Sequence, residues 1–139
     1  MAQDHDIRTA IMLEYIKVNF NTSCMSIWAD LKELTNPEEE LAYVNNRTLS
    51  AYPDLRAIDE FNNPKIHIIG EAKTRSDYLK RHIEAETQMD VYINVLKTKE
   101  CPFLIYSVPA IIHNRVYCDL KNKIDYWNAQ NIKFKVLYK

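Results

Sequence analysis

The sequence predicts an α/β fold in which helices flank a mixed central sheet that contains an antiparallel hairpin. Three observations lead there. Up to about residue 46, apolar side chains recur at helical spacing. From residue 47 the pattern turns to alternation, in two runs joined by Phe61-Asn62-Asn63-Pro64. Beyond that turn, helical and strand-like segments succeed one another to the last residue. A chain of 139 residues suits one domain, here an N-terminal helical part (1–46) and a core (47–139).

The first helix is expected over 6–19, with Ile7, Ala10, Ile11, Leu13, Ile16 and Val18 as its apolar face. Asn21-Thr22-Ser23 breaks it and offers an N-cap to a second helix carrying Met25, Ile27, Trp28, Leu31 and Leu34. Asn36-Pro37 opens a short third helix through Tyr43, proline being suited to a first helical turn. Three short helices in succession are compatible with a helix-turn-helix DNA reader. Packing against a sheet is the commoner use of the pattern. Strands are then expected at 54–61 and 65–73, and a long amphipathic helix at 77–97 with Leu79, Ile83, Val91, Val95 and Leu96 buried. A continuous apolar run at 103–108 predicts a strand covered on both faces. A helix at 114–129 and a strand at 132–138 complete the order. Trp28 and Trp127 fall within helical patterns and are expected in the core.

Composition excludes several classes. Apolar residues make up 47% and charged residues 27%, an ordinary globular balance. No apolar run approaches the ~20 residues of a membrane-spanning helix. The opening Met1-Ala2-Gln3-Asp4-His5-Asp6 has no basic stretch followed by an apolar segment. Cys24, Cys101 and Cys118 are widely spaced and odd in number, so a reducing, cytoplasmic setting is expected. One glycine in the whole chain rules out a glycine-rich phosphate loop. His5, His67, His82 and His113 lack metal-ligand spacing and are expected to be ordinary histidines. The net charge of −1 conceals an asymmetry: residues 1–60 hold five Lys/Arg against eleven Asp/Glu, and residues 61–139 hold thirteen against eight. A cationic second half fits a phosphate-rich partner, although a solvated surface can carry the same imbalance.

The chemistry concentrates on the hairpin. With its turn centred between Asn62 and Asn63, paired residues have numbers summing to 125, so Glu60 faces Lys65 and Asp54 faces Glu71. Directly opposed side chains lie ~4.5–5.5 Å apart at Cβ, and two carboxylates so placed repel unless a cation lies between them. Lys73 points to the same face as Glu71 by alternation. Leu55, Ala57, Phe61, Ile66, Ile68 and Ala72 form the opposite, core-facing stripe, interrupted by Asp59. Mg²⁺, with Mn²⁺ as a substitute, suits two carboxylates that leave room for water and phosphate oxygens. Lys73 then supplies a cation for charge developing on phosphorus. Gly70, inside a strand and next to Glu71, permits a close approach by backbone or ligand. The same charged triplet also occurs on exposed hairpins with no ligand, and the residues alone leave both possibilities open.

Tyr52-Pro53-Asp54-Leu55 followed by Ile68-Ile69-Gly70-Glu71-Ala72-Lys73-Thr74 resembles the PD…ExK signature of the restriction-endonuclease-like, or PD-(D/E)XK, nuclease superfamily. Gln88-Met89-Asp90-Val91-Tyr92 downstream is similar to the QxxxY motif of RecB-like branches, and residues four apart share a helix face. The resemblance spans roughly residues 50–108. It implies a restriction-endonuclease-like core and a metal-dependent deoxyribonuclease that nicks or cuts DNA internally. Asp54, Glu71, Lys73 and Gln88 would be catalytic, and Asp54, Glu71 and the Ala72 backbone carbonyl would hold the metal. Arg75, Lys80, Arg81 and Tyr92 would contact substrate. A further acid from the N-terminal part is implied, with Glu14, Glu33 and Glu40 all open. Cutting both strands would call for a homodimer or successive events. The alternative is a catalytically silent member of the fold that binds nucleic acid or protein.

Overall fold

In the computed structural model, residues 2–31 and 53–139 are described. They run α1 (Ala2–Asn19), β1 (Ser26–Ala29), β2 (Leu55–Asp59), β3 (Ile66–Ala72), α2 (Arg75–Leu96) and β4 (Cys101–Val108). A single 3₁₀ turn (Ala110–Ile112), α3 (His113–Ala129) and β5 (Lys133–Tyr138) follow. The expected helix at 37–43, Leu34, and the acids Glu33 and Glu40 lie outside the described residues.

The five strands form one sheet in the order β1-β2-β3-β4-β5. The first three make an antiparallel meander; β4 and β5 join parallel to β3 and to each other. Each parallel step needs a long crossover, and α2 and α3 supply them. The result is a mixed sheet with helices on both faces, the α/β class expected from the pattern switches. No helix among the described residues is long and apolar enough to cross a membrane.

Strand alternation divides the core in two. Leu55, Ala57, Ile68, Ala72 and Ile105 meet Met12 and Ile16 of α1 on one face. Ile69, Leu104, Tyr106 and Val136 meet Tyr92, Leu96, Leu120 and Trp127 of α2 and α3 on the other. β4 lies between β3 and β5 with helices on both sides, which is why it reads as an unbroken apolar run.

Four local expectations are corrected. The segment read as a second helix contains β1, paired antiparallel to β2 from Ser26↔Ile58 to Ala29↔Leu55. Pairing to an existing strand outweighs a weak helical spacing over so few residues, and β-branched and aromatic side chains favour it. Phe61, placed in the core stripe, is 85% exposed. The reason is Asp59: its carboxylate accepts hydrogen bonds from the amides of Phe61 and Asn62, both at 3.0 Å, and turns the chain out of the ladder. The apparent interruption of the stripe is therefore the stop signal of β2. In α1, Ile7 and Val18 are exposed, and the buried line is Thr9, Met12 and Ile16. In α2, Ile83 is exposed, off the buried line of Tyr78, Ala85, Met89, Tyr92 and Leu96.

Gly70 explains how closely α1 sits. A Cβ built on it would lie 2.8 Å from Met12 Sδ and 3.3 Å from Leu55 Cβ. The close approach foreseen there is made by a helix of the chain itself. We expect Gly70→Ala to lower stability by about 1–3 kcal/mol, the usual cost of overpacking. Met12→Ala in the same background should cost less than the sum of the single changes, because the obstructing sulfur is gone. Chemical denaturation of the four proteins checks this; additive single costs would show that α1 does not press on Gly70.

Candidate active site

The hairpin register has Leu55 opposite Gly70 and Asp59 opposite Ile66, so paired numbers sum to 125 as expected. Asp54 lies one residue before β2, and its amide donates to the Gly70 carbonyl at 3.0 Å. Its own carbonyl accepts from the Asp30 amide at 2.7 Å, just past the end of β1. The carboxylate is equally constrained. Oδ2 accepts from the Ala72 amide at 2.8 Å, and Oδ1 lies 3.0 Å from His5 Nε2 of α1. Four segments of chain thus meet at one residue.

Glu71, at the C-terminal end of β3, is only 4% exposed. Burial pushes its carboxyl well above the ordinary carboxylate range, and the Asp54 charge adds to that; Lys73 pulls the other way. Lys73 Nζ lies 3.7 Å from Oε1. The Tyr92 hydroxyl donates to Oε2 at 2.6 Å. Burial, then the neighbouring Glu71, raises the Tyr92 phenol in turn, so it remains a donor at neutral pH. Tyr106 is directly across from Glu71 in the β3–β4 ladder, fully buried, and its hydroxyl has no hydrogen-bond partner among the described residues. Asp54, Glu71 and Lys73 therefore gather at one end of the hairpin, with Tyr92 reaching Glu71 from α2.

Gln88, one helical turn before Tyr92, lines a cavity of about 370 Å³ together with Lys73, Asp77 and Arg81. Its Oε1 is buried without a partner among the described residues. Arg81 lies at a break in α2, where φ is −133° and ψ 33°. Arg75 and Lys80 are exposed in the first turns of α2 and do not line that cavity. Thr74 caps the helix by accepting from the Asp77 amide at 3.2 Å. Ala72 contributes its amide to Asp54.

Two residues with no role in the sequence-based site join it. His5, Asp30 and Asp54 each offer a ligand atom, and these atoms lie within 4.8 Å of one another. The hydrogen bond to Asp54 raises the His5 imidazole above its ordinary range, against the opposing effect of burial. His5 was legible in principle: Thr9, Met12 and Ile16 are the buried line of α1, and His5 continues it one turn earlier. Asp30 was hidden by the misassigned β1. Glu14 does not join them. It is exposed, ~13 Å further along α1 than His5, in a groove with Leu137 and Tyr138.

Comparison with protein-family models, curated proteins and solved structures finds no match to this chain.

Glu71 and His5 both have raised folded-state pKa values, so these two sites hold more protons in the folded than in the unfolded chain between mildly acidic and neutral pH. Their stabilising contribution is complete below the unfolded values, 4.5 for Glu and 6.5 for His, and is lost as pH rises through the folded ones. In EDTA, the contribution of these two groups to melting temperature should therefore fall from pH 5.5 to pH 8, against the opposite effect of His67, whose imidazole burial pushes down. Glu71→Gln keeps an acceptor for Tyr92 and removes the buried charge, so it should raise the melting temperature at neutral pH and flatten the profile. A variant less stable than the parent at pH 8 would contradict the burial described here.

Proposed function

We propose that this chain is a divalent-metal-dependent nuclease that hydrolyses DNA phosphodiester bonds, with a restriction-endonuclease-like core of the PD-(D/E)XK kind. The observation that carries the proposal is the convergence of Asp54, Glu71 and Lys73 at one end of the β2–β3 hairpin, with Glu71 hydrogen-bonded to Tyr92. The order of the parts also supports it: a strand after Asp54, a strand bearing Glu71 and Lys73, a helix bearing Gln88 and Tyr92, then a parallel strand. That Asp54, Glu71 and Lys73 are all present and adjacent favours catalysis over a silent member of the fold.

The donors fit a divalent cation. Asp54 and Glu71 are buried carboxylates, and burial together with the Asp54 charge raises the Glu71 carboxyl well above its ordinary range, which a bound cation would offset. His5 and Asp30 add an imidazole and a further carboxylate beside Asp54. Carboxylates and water suit Mg²⁺ and Mn²⁺ alike, while the imidazole shifts the preference towards Mn²⁺. A cation bound there would polarise the scissile phosphate and lower the pKa of a bound water.

The protein's own groups have distinct tasks in this proposal. Asp54, Glu71, His5 and Asp30 are the candidates to hold the cation, together with the Ala72 carbonyl. Tyr92 fixes the Glu71 carboxyl through its hydroxyl. Lys73 stands close enough to Glu71 to face the same phosphate and stabilise negative charge developing on it. Gln88 and Arg81, in the cavity that opens beside Lys73, orient the strand. Arg75 and Lys80, exposed on the adjoining turns, contact backbone phosphates outside it. One such site cuts one strand, so a double-strand break would require a homodimer or a second event.

Incubation of supercoiled, linear and single-stranded DNA with Mn²⁺, Mg²⁺ or EDTA tests this. Cleavage is expected with either metal and none in EDTA. Asp54→Ala should abolish it, and Lys73→Ala should slow it by roughly a hundredfold or more. His5→Ala should raise the Mn²⁺ concentration needed for half-maximal rate by about tenfold. Full cleavage by Asp54→Ala would remove the site from consideration.

A further inference from the structure

We infer that the surface formed by His113, Tyr117 and Tyr138 is a stacking platform for unpaired nucleobases, so that the substrate class is DNA with a single-stranded or frayed segment. The inference rests on the nuclease proposal and specifies its substrate. His113 lies between two tyrosine rings. Its imidazole is 3.7 Å from the Tyr138 ring centroid with planes tilted by 37°, and 4.8 Å from Tyr117 in an edge arrangement. Tyr138 is 55% and Tyr117 39% exposed, and His113 is half-buried. The three rings pack on one another while leaving π surface open to solvent.

Position ties this platform to the candidate active site. Ala72, Ser107 and Leu137 are level across β3, β4 and β5, and the Lys73 amide donates to the Ser107 carbonyl at 3.0 Å. Lys73 is therefore level with Val108 and Tyr138, two strand spacings or ~10 Å away. Alternation sets both on the same face, since Glu71, Tyr106 and Val136 share one row and Lys73 and Tyr138 lie two residues beyond its ends. This is the C-terminal edge of the parallel strands, where ligands of open α/β sheets bind. A strand whose phosphate lies at Lys73 would carry its next few bases over Tyr138.

The chemistry of the rim fits bases better than an apolar protein segment. Lys139 adjoins Tyr138 in the chain, and the Arg8 guanidinium donates to the Lys139 carbonyl at 2.7 Å. Aromatic faces beside cations bind single strands without regard to sequence. In an intact duplex the base faces are covered by one another, so only unpaired bases can use such a surface.

Binding of a short, fluorescein-labelled mixed-sequence single strand and of its duplex, followed by anisotropy in EDTA, tests the inference with the full chain. Tyr138→Ala and Tyr117→Ala should each weaken single-strand binding by about tenfold and leave duplex binding unchanged. Tyr138→Trp should restore it, and Tyr126→Ala, on an exposed part of α3, should have no effect. Melting curves identify any variant that has lost its fold, and Tyr117, on an exposed helical surface, keeps the test available if Tyr138→Ala has. Unchanged single-strand affinity in folded Tyr117→Ala and Tyr138→Ala proteins, or equal losses for both probes, would overturn the platform. So would sedimentation showing that these changes dissolve a dimer without altering binding. Failure of the nuclease proposal looks different: the wild type would bind single strands through these tyrosines and cut nothing with Mn²⁺.

Discussion

A buried carboxylate must be satisfied from every direction, and Asp54 meets that demand by drawing four segments of the chain together. Its backbone bridges Asp30 after β1 and Gly70 in β3, and its two oxygens reach the Ala72 amide and His5 of α1. Remove the carboxylate and the register of the hairpin survives through its ladder, but the ends of β1 and α1 lose their common partner. Under the proposed function, the group that joins these segments would also hold the cation. Hydrogen bonds from an amide and an imidazole hold the Asp54 oxygens in place before any ligand arrives, which limits the ordering that binding would otherwise require.

Glu71 is held on the opposite principle. Its burial and the nearby Asp54 charge make ionisation unfavourable, and Lys73 and Tyr92 offset only part of that penalty. A site under such tension costs the folded chain stability, and a cation bound there as proposed would relieve it, with metal binding coupled to proton release. The two carboxylates differ because their surroundings differ: one is paired with an imidazole, the other sits in the apolar layer beneath α2. Gly70 makes the arrangement possible from the far side. Without a side chain there, α1 settles against the sheet closely enough to bring His5, two turns from Met12, over Asp54.

Much of this was legible in the residues, for definite reasons. The hairpin register followed from a turn with few alternatives and from the Glu60–Lys65 and Asp54–Glu71 oppositions it implied; the ladder has that register. The helix bearing Gln88 and Tyr92, and the buried β4, followed from strong periodicity and a continuous apolar run. The weaker signals failed where tertiary structure decides. Four residues of β1 carry too little pattern to be told from a helix, and only pairing with β2 defines them. Phe61 looked like core because alternation was carried one step past Asp59, whose carboxylate ends the strand. His5 was set aside because ligand spacing was sought along the chain, whereas its partners Asp30 and Asp54 come from other elements. The Asp54, Glu71 and Lys73 cluster was visible because all three sit on one hairpin; the residues that surround it from α1 and β1 were not.

Anomalous diffraction from crystals soaked in Mn²⁺ tests most directly whether a divalent cation binds at Asp54. One strong peak is expected about 2.0–2.3 Å from an Asp54 carboxylate oxygen, within coordinating distance of at least one of His5, Asp30 and Glu71, and no such peak in Asp54→Ala crystals soaked alike. Absence of a peak at Asp54 in the wild type at millimolar Mn²⁺, or a peak that persists unmoved in the variant, would contradict it.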